Sequence, residues 1–451
     1  MYITNFPMTN RGFEVVHATL DMIQPHQEPI WELLSFGLPP TSTDTERNEL
    51  SEWVEQVTEP VINELRTETS MVCPVGDKVL SLMMLLLDCA VAISVDDLSE
   101  AHTMLLEITQ MAFPHAVSCG ERVIAYFAMA MSSRVINSWL GLCSPLIDYE
   151  TVRGAFRAFD DASPFIKFAC FTSNRAMLEA FRWHDRVHII DLDIMQGLQW
   201  SALFHTLATR TEGPPFVTIT GLGSSMKLLV ETGNQLSNIA RQFGIPFDFH
   251  PIAKKFGEID IETVQLQRGE AVAIHWLQHS LYDATGPNQN TLKHIEQLAP
   301  TVLTLVEQDL SHQGSFLDRF VNSLHYYSTI FDSFGSYLSA EDPNRHRIEY
   351  CLLYREIKNV LAIGGPARTR DDKFEHNWRS ELARNRKFQL MPISSKTMAE
   401  IELMLNMFWP GYGYSLVGDD GTLRVGWKET CLFTASAWTM TTVHDGFGWS
   451  G

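Results

Sequence analysis

Apolar residues recur three and four apart over Leu80–Ile93, Leu98–Met111, Arg122–Leu140 and Phe165–Phe181. That spacing predicts four amphipathic helices. Breaks fall at Ser94–Asp97, Pro114, Pro145 and Ser163-Pro164. After Trp183 the period changes. Short apolar runs at Val187–Ile190, Phe216–Ile219, Phe247–Phe249, Ala271–Ile274 and Val302–Val306 predict strands. Helical stretches at Leu198–Ala208, Met226–Phe243, Thr291–Leu298 and Phe316–Phe334 lie between and after them. Strands that are apolar throughout, alternating with helices, argue for a parallel sheet covered on both faces.

The tail adds a short strand at Phe388–Met391, a helix at Lys396–Phe408, and strands near Tyr414–Val417 and Leu423–Trp427. Asp420-Gly421 predicts the hairpin turn joining the last two. The expected fold class is therefore α/β, a doubly wound and mostly parallel sheet. It resembles that of the S-adenosylmethionine methyltransferases, with an α-helical cap over about 78–183 and an α/β core over about 184–440. Residues 76–440 would form one domain.

Residues 1–75 stand apart as an acidic N-terminal extension, with 12 acidic side chains against three arginines, −9 of the whole chain's −20. Within it, the Pro/Ser/Thr-rich stretch from Gly37 to Arg47 reads as a linker. An amphipathic helix is expected near 49–65, kinked at Pro60. In the cap, Leu82-Met83-Met84-Leu85-Leu86 matches an LxxLL docking string, but a leucine-rich helix can match it by chance and bury it.

Composition narrows the class. With 451 residues, 45% hydrophobic and 20% charged, the chain can bury a sizeable core. A net charge of −20 repels phosphate backbones and anionic lipid as a whole-molecule field. The seven cysteines are scattered and never spaced C-x-x-C, which fits reduced structural thiols rather than a disulfide framework or zinc site. No sequon or signal-peptide layout is present. The longest apolar run, near Val79–Leu87, is far short of the ~20 residues that span a bilayer. An intracellular soluble protein is expected.

A cofactor site in such a sheet lies outside the carboxyl ends of the strands. After the first strand, where methyltransferases carry a glycine-rich turn, stand Asp193 and Met195, with only Gly197 left. At the end of the second strand, Thr220 and Gly221 stand where a ribose-binding carboxylate is needed. Both halves of the cofactor signature are missing, so neither catalysis nor a bound cofactor is expected. Asp191 with Asp193 has the makings of a divalent-cation pair, or Asp191 simply pins the turn. His275 and His279 have a chelating spacing, yet begin at a strand end and lack the glutamate of H-E-x-x-H. Glu307 and Asp309 add acid at the same rim. No nucleophile, base and oxyanion site assembles, and no metal site is expected.

The order of motifs resembles the plant GRAS family of transcriptional regulators over nearly all of 78–438. Val187-His188-Ile189-Ile190-Asp191 matches the family's central motif letter for letter, with leucine-rich regions on both sides. Arg355-Glu356 looks like the heart of the PFYRE region, without the Pro-Phe before it. Trp378-Arg379, Gly426-Trp427-Lys428 and Ser436-Ala437-Trp438 look like the SAW motif. The phrases Asp191–Trp200, His275–Asp283 and Val306–His312 are similar to the SCARECROW group.

The resemblance implies a regulator of plant development that acts in the nucleus by protein contact. It implies pairing with another GRAS protein, as SCARECROW pairs with SHORT-ROOT, and binding to C2H2 zinc-finger transcription factors of the INDETERMINATE type. DNA contact would be indirect, and no membrane is involved. One segment suits a docking face: Arg345–Lys387 holds eleven Lys/Arg against six Asp/Glu, including Arg368, Arg370, Arg384, Arg386 and Lys387. It equally suits a solvated surface paired with its own acids. Trp53, Trp139, Trp409 and Trp438 fit interface anchors or core. The alternative function is a small-molecule-binding or methyltransferase-like protein using the strand-end cleft.

Overall fold

A computed structural model describes residues 74–140, 149–277, 290–311, 314–362, 377–408, 413–419 and 421–440. The acidic extension with its 49–65 helix, His279, Asp420, Arg368 and Arg370 lie outside the described residues.

The helical half begins with α1 (Pro74–Ser94), α2 (Leu98–Met111), α3 (Cys119–Leu140), α4 (Tyr149–Ala162) and α5 (Phe165–Ala180). Four of these are the predicted helices. Leu82 and Leu86 of the LxxLL string are buried in the cap core, so those two leucines serve packing. The unforeseen helix, α4, places Val152, Ala155, Phe156 and Phe159 on one face, within a short segment interrupted by Gly154 and five charges.

The sheet contains β1 (Arg186–Asp191), β2 (Phe216–Leu222), β3 (Phe247–Ile252), β4 (Ala271–Leu277) and β5 (Val302–Gln308), all parallel. Between them run α6 (Leu198–Ala208), α7 (Met226–Gln242) and α8 (Asn290–Leu298). After β5 come α9 (Phe316–Gly335), α10 (Pro343–Ile348), a π-helical turn (Glu349–Leu353), α11 (Tyr354–Ala362) and α12 (Trp378–Arg384). The chain then makes β6 (Phe388–Leu390), α13 (Ser395–Phe408), β7 (Tyr414–Asp419), β8 (Thr422–Trp427) and β9 (Thr430–Met440).

Strand order is β3-β2-β1-β4-β5-β9-β8-β7, with β6 paired to the far end of β9. The order reverses between β1 and β4, where open α/β sheets hold ligands. One face is packed by α5, α6 and α7 through Phe181, Trp200, Phe204 and Leu236. The other is packed by α8 and α12 through Ile295, Leu298, Trp378 and Leu382. This is the doubly wound α/β class expected from the runs.

The cap draws on a second stretch. Helices α9 and α11 pack against α3, and all share one core with Val306, Leu423, Val425, Phe433 and Ala435 of the sheet. Two buried arginines close the end of α11. Arg319 donates to the Val360 carbonyl and Arg134 to that of Leu361, satisfying carbonyls that a helix C-terminus leaves unpaired.

β9 has no counterpart among the predicted strands. It enters antiparallel between β5 and β8, in the register Leu303↔Trp438 and Glu307↔Thr434 on one side and Leu423↔Ala435 on the other. Leu432–Trp438, including Thr434, Ala435, Ser436 and Ala437, are buried on both faces, so no polar-apolar alternation marks it.

Candidate functional site

The strand-end rim centres on Asp191 and His275, which are register partners at the ends of β1 and β4. Both are buried. Trp200, in the first turn of α6, donates its indole Nε1–H to Asp191 Oδ2 at 3.0 Å. Burial pushes the Asp191 carboxyl up to about 8, Asp193 adds to the rise, and the Trp200 bond opposes it. His275 Nδ1 lies 2.9 Å from Thr304 Oγ1, and that hydroxyl donates onward to the Ile274 carbonyl at 3.4 Å. The chain of donors puts the imidazole proton on Nδ1. Burial holds His275 down at about 3, so the ring is neutral.

The turn that follows β1 packs its own atoms across the strand-end rim. Ile194 N–H donates to the Leu222 carbonyl at 3.0 Å, drawing the turn across to the end of β2. Its side chain stands over Gly221, where an added Cβ would meet Ile194 Cδ1 at 3.1 Å and Phe249 at 2.8 Å. Met195 takes a left-handed φ of 43° and Gly197 one of 59°. Gly197 is needed here by its own neighbours, since a Cβ would press on Thr232, Trp200 and Leu236 at 3.2–3.3 Å. Gln196 donates to the Arg153 carbonyl and Asn174 to that of Gln199, fastening the rim to α4 and α5.

What remains is a cavity of about 40 Å³ lined by Asp191, Gln196, Gln199, Cys170, His275 and Leu277. A water needs ~10–15 Å³ of such space, so a few waters fit. Pockets that enclose small molecules run to roughly 300–1,000 Å³. Gln196 Oε1 and Gln199 Nε2, both buried without a protein partner, supply polar ends suited to such waters. The rim can hold water and a proton on Asp191.

The paired acids expected at this rim are otherwise engaged. Glu307 accepts from the backbone N–H groups of Trp378 and Arg379 at 2.7 and 3.2 Å, capping α12. Burial pushes it up to about 7, against the pull of Arg379. Asp309 accepts from Thr434 Oγ1 at 2.7 Å and stands 3.9 Å from Arg379. His275 sits inside β4, in extended backbone rather than on a helix. Among the described residues no group of three or more His, Cys, Asp or Glu side chains comes together around a metal position. The described cysteines 89, 119, 170, 351 and 431 form no disulfide.

The motif residues are fastenings. His188 donates from Nδ1 to Glu270 Oε2 at 3.1 Å and accepts at Nε2 from Thr220 at 2.8 Å, tying β1 to β2 and to the approach to β4. Burial lowers its pKa, and Glu270 only partly restores it. Val187, Ile189 and Ile190 are fully buried. Glu356 accepts from Gln308 Nε2 and Tyr327 O–H, both at 3.1 Å, locking α11 over β5; Arg355 beside it is half-buried. Trp378 packs on Trp276 with ring centroids 4.6 Å apart. Trp427 donates to Asp332 at 2.6 Å. Trp438 Nε1 donates to Ser436 Oγ at 3.0 Å, and Ala437 is buried beside β5.

Three of the candidate docking cations, Arg384, Arg386 and Lys387, are described, all exposed at and just after the end of α12. Arg384 stands 3.7 Å from Glu381 and Lys387 2.7 Å from Glu296, while Arg386 is exposed. Arg345 turns inward instead, into a triad the sequence did not disclose. Arg122 Nε and Arg345 Nε donate to Glu349 at 3.0 and 2.9 Å, with all three side chains buried. Burial still pushes Glu349 up to about 7, with Arg122 the largest opposing influence. Of the tryptophans, Trp139 is about half exposed and Trp438 buried.

Fold and rim together define a doubly wound, methyltransferase-like α/β domain with a small polar cavity at its strand-end rim. This chain belongs to the GRAS domain family, whose model matches residues 82–439. It is 52% identical over 367 residues to Protein SCARECROW 1 of Oryza sativa subsp. indica, and 50% over 367 to Protein SCARECROW of Arabidopsis thaliana; each match covers 80% of this chain. The chain spans about half the length of these SCARECROW relatives, 55% and 56%. It is also 44% identical over 374 residues to Scarecrow-like protein 23 of Arabidopsis thaliana, covering 80% of this chain and 90% of that one. The crystal structure of SCL7 from Oryza sativa matches with a TM-score of 0.66 and 29% identity, over 79% of this chain and 99% of that chain. The SCARECROW-like character read from the residues agrees with these relatives. Among the described residues no helix is long and apolar enough to cross a membrane.

Proposed function

We propose that this protein is a nuclear transcriptional regulator of plant development that acts by protein contact. In this reading it pairs with another GRAS protein of the SHORT-ROOT kind and binds C2H2 zinc-finger transcription factors, which make the DNA contact. The observation that carries it is the closed rim. A fold that ordinarily brings a cofactor to the β1 and β4 ends has Ile194, Met195 and Phe249 in or against that space, with about 40 Å³ left. In this reading the domain serves as a scaffold that offers its outer surfaces to partners. The named SCARECROW relatives support the regulatory class, and the acidity of −20 suits an adaptor that leaves phosphate contact to others.

The test is copurification of the full chain, from plant nuclei, with a SHORT-ROOT-like GRAS protein and with a C2H2 factor. Recovery of both is expected, and a fluorescent fusion should collect in the nucleus. Recovery of neither overturns the reading. The small-molecule alternative is tested by calorimetric titration with S-adenosylmethionine, for which no saturable heat is expected. Saturable binding lost on Asp191→Ala would restore it.

A further inference from the structure

Away from the rim, two histidines from separate parts of the cap face one another. His115 lies in the loop between α2 and α3, and His346 in α10. Their Nδ1 atoms are 3.4 Å apart, and their rings meet edge to face with centroids 4.8 Å apart at 72°. As a hydrogen bond between two imidazoles this is slack, since N–H donors settle at about 2.7–3.2 Å from their acceptors. As the bite of one ion it is well matched. Two ring nitrogens each ~2.0–2.1 Å from a tetrahedral zinc stand about 3.3–3.4 Å apart.

The backbone on both sides is held by the buried triad. Arg122 donates through one guanidinium nitrogen to the carbonyls of Ala116 and Val117 at 2.8 and 3.0 Å, directly after His115. Arg345, directly before His346, donates to the Leu338 carbonyl at 2.8 Å and to Glu349. Because both arginines grip the same carboxylate, the two imidazoles are pre-set rather than carried on independent loops, which lowers the ordering cost of a shared ligand. Glu349 also offsets one of the two guanidinium charges next to the site.

We propose that His115 and His346 form a two-histidine site for a divalent transition metal of the zinc type, bridging the α2–α3 loop to α10 on the cap surface. Imidazole selects zinc, nickel and copper over magnesium and calcium. No third protein ligand joins the pair among the described residues, and His115 is exposed. The other coordination positions therefore fall to water or to a side chain of a bound protein. Metal here would lock the loop against α10 and stiffen that face of the cap.

The experiment is calorimetric titration of the chelator-stripped full chain with zinc chloride, beside the His115→Gln/His346→Gln double variant. We expect a saturable site in the wild type that is missing from the variant, with no heat from magnesium. A zinc concentration about 100 times the Kd should raise Tm by about 2–5 °C in the wild type alone. Equal zinc stoichiometry in the two proteins would overturn the proposal. Copper(II) electron paramagnetic resonance on the wild type needs no variant: splitting from two nitrogens supports the site, and its absence overturns it.

Discussion

Trp200 holds the Asp191 carboxyl from nine residues away, through a 3.0 Å indole hydrogen bond at the strand-end rim. The aspartate is kept there at a cost that depends on pH. Its pKa is pushed up to about 8 in the fold, against about 3.9 in an unfolded chain. Between those values the native state keeps a proton that unfolding releases, so this contribution is full below about pH 4 and is lost as pH rises through about 8. The slope from one such group is at most ~1.4 kcal/mol per pH unit. Asp191→Asn keeps an acceptor for Trp200 and cannot ionise. Its unfolding free energy in urea, followed from pH 5 to 8, should decline less steeply than that of the parent; an unchanged slope would exonerate Asp191.

His275 works in the opposite sense. Held down at about 3, against ~6.5 unfolded, it contributes stability that is present above pH 6.5 and lost as pH falls toward 3. His275→Gln should flatten the acid limb of the same stability curve. If both proteins weaken in parallel between pH 6 and 4, the histidine is not responsible.

The Arg122–Glu349–Arg345 triad is buried, and its two guanidinium groups share one carboxylate, so removing Glu349 leaves two cations in the core without it. Glu349→Met should cost about 3–5 kcal/mol, read by urea denaturation. Replacing all three with methionine should recover most of that loss. A Glu349→Met variant as stable as the parent would show that the carboxylate is not what holds the arginines.

Gly426 lies at a β-bulge between β8 and β9, where an added Cβ would collide with the Thr430 backbone, 2.8 Å from its carbonyl carbon. Backbone cannot turn aside as a side chain can. Gly426→Ala should therefore lose more than about 2 kcal/mol, visible as a drop in Tm. Gly154→Ala, with open space around its Cβ, is the matched control and should change Tm little.

Much of this architecture was legible in the sequence because its signals are local. The five parallel strands announce themselves as short apolar runs, and α2 and α6 end at the predicted residues. The loss of glycines at Asp193 and Met195 marked the rim as altered before any geometry was known. What stayed hidden depends on distant partners. β9 is a strand because β5 and β8 hold it on both sides, not because its Ala-Ser-Ala stretch favours one. Glu307 looks like a rim acid until α12 arrives to be capped. Arg345 looks like part of a basic surface until Glu349 and Arg122 meet it in the core. No spacing rule joins residues 122 and 349.

The placement of β9 also orders the events of synthesis. Leu303 cannot find Trp438 until the ribosome has added everything between them, and β7 and β8 attach to the sheet only through that strand. Until then β5 presents an open edge and the cap core lacks Phe433 and Ala435, the kind of exposure that invites aggregation. The sheet is whole only once β9 has been made and bridges β5 to β8. Without it the sheet would stand in two pieces, β1 to β5 in one and β7 with β8 in the other.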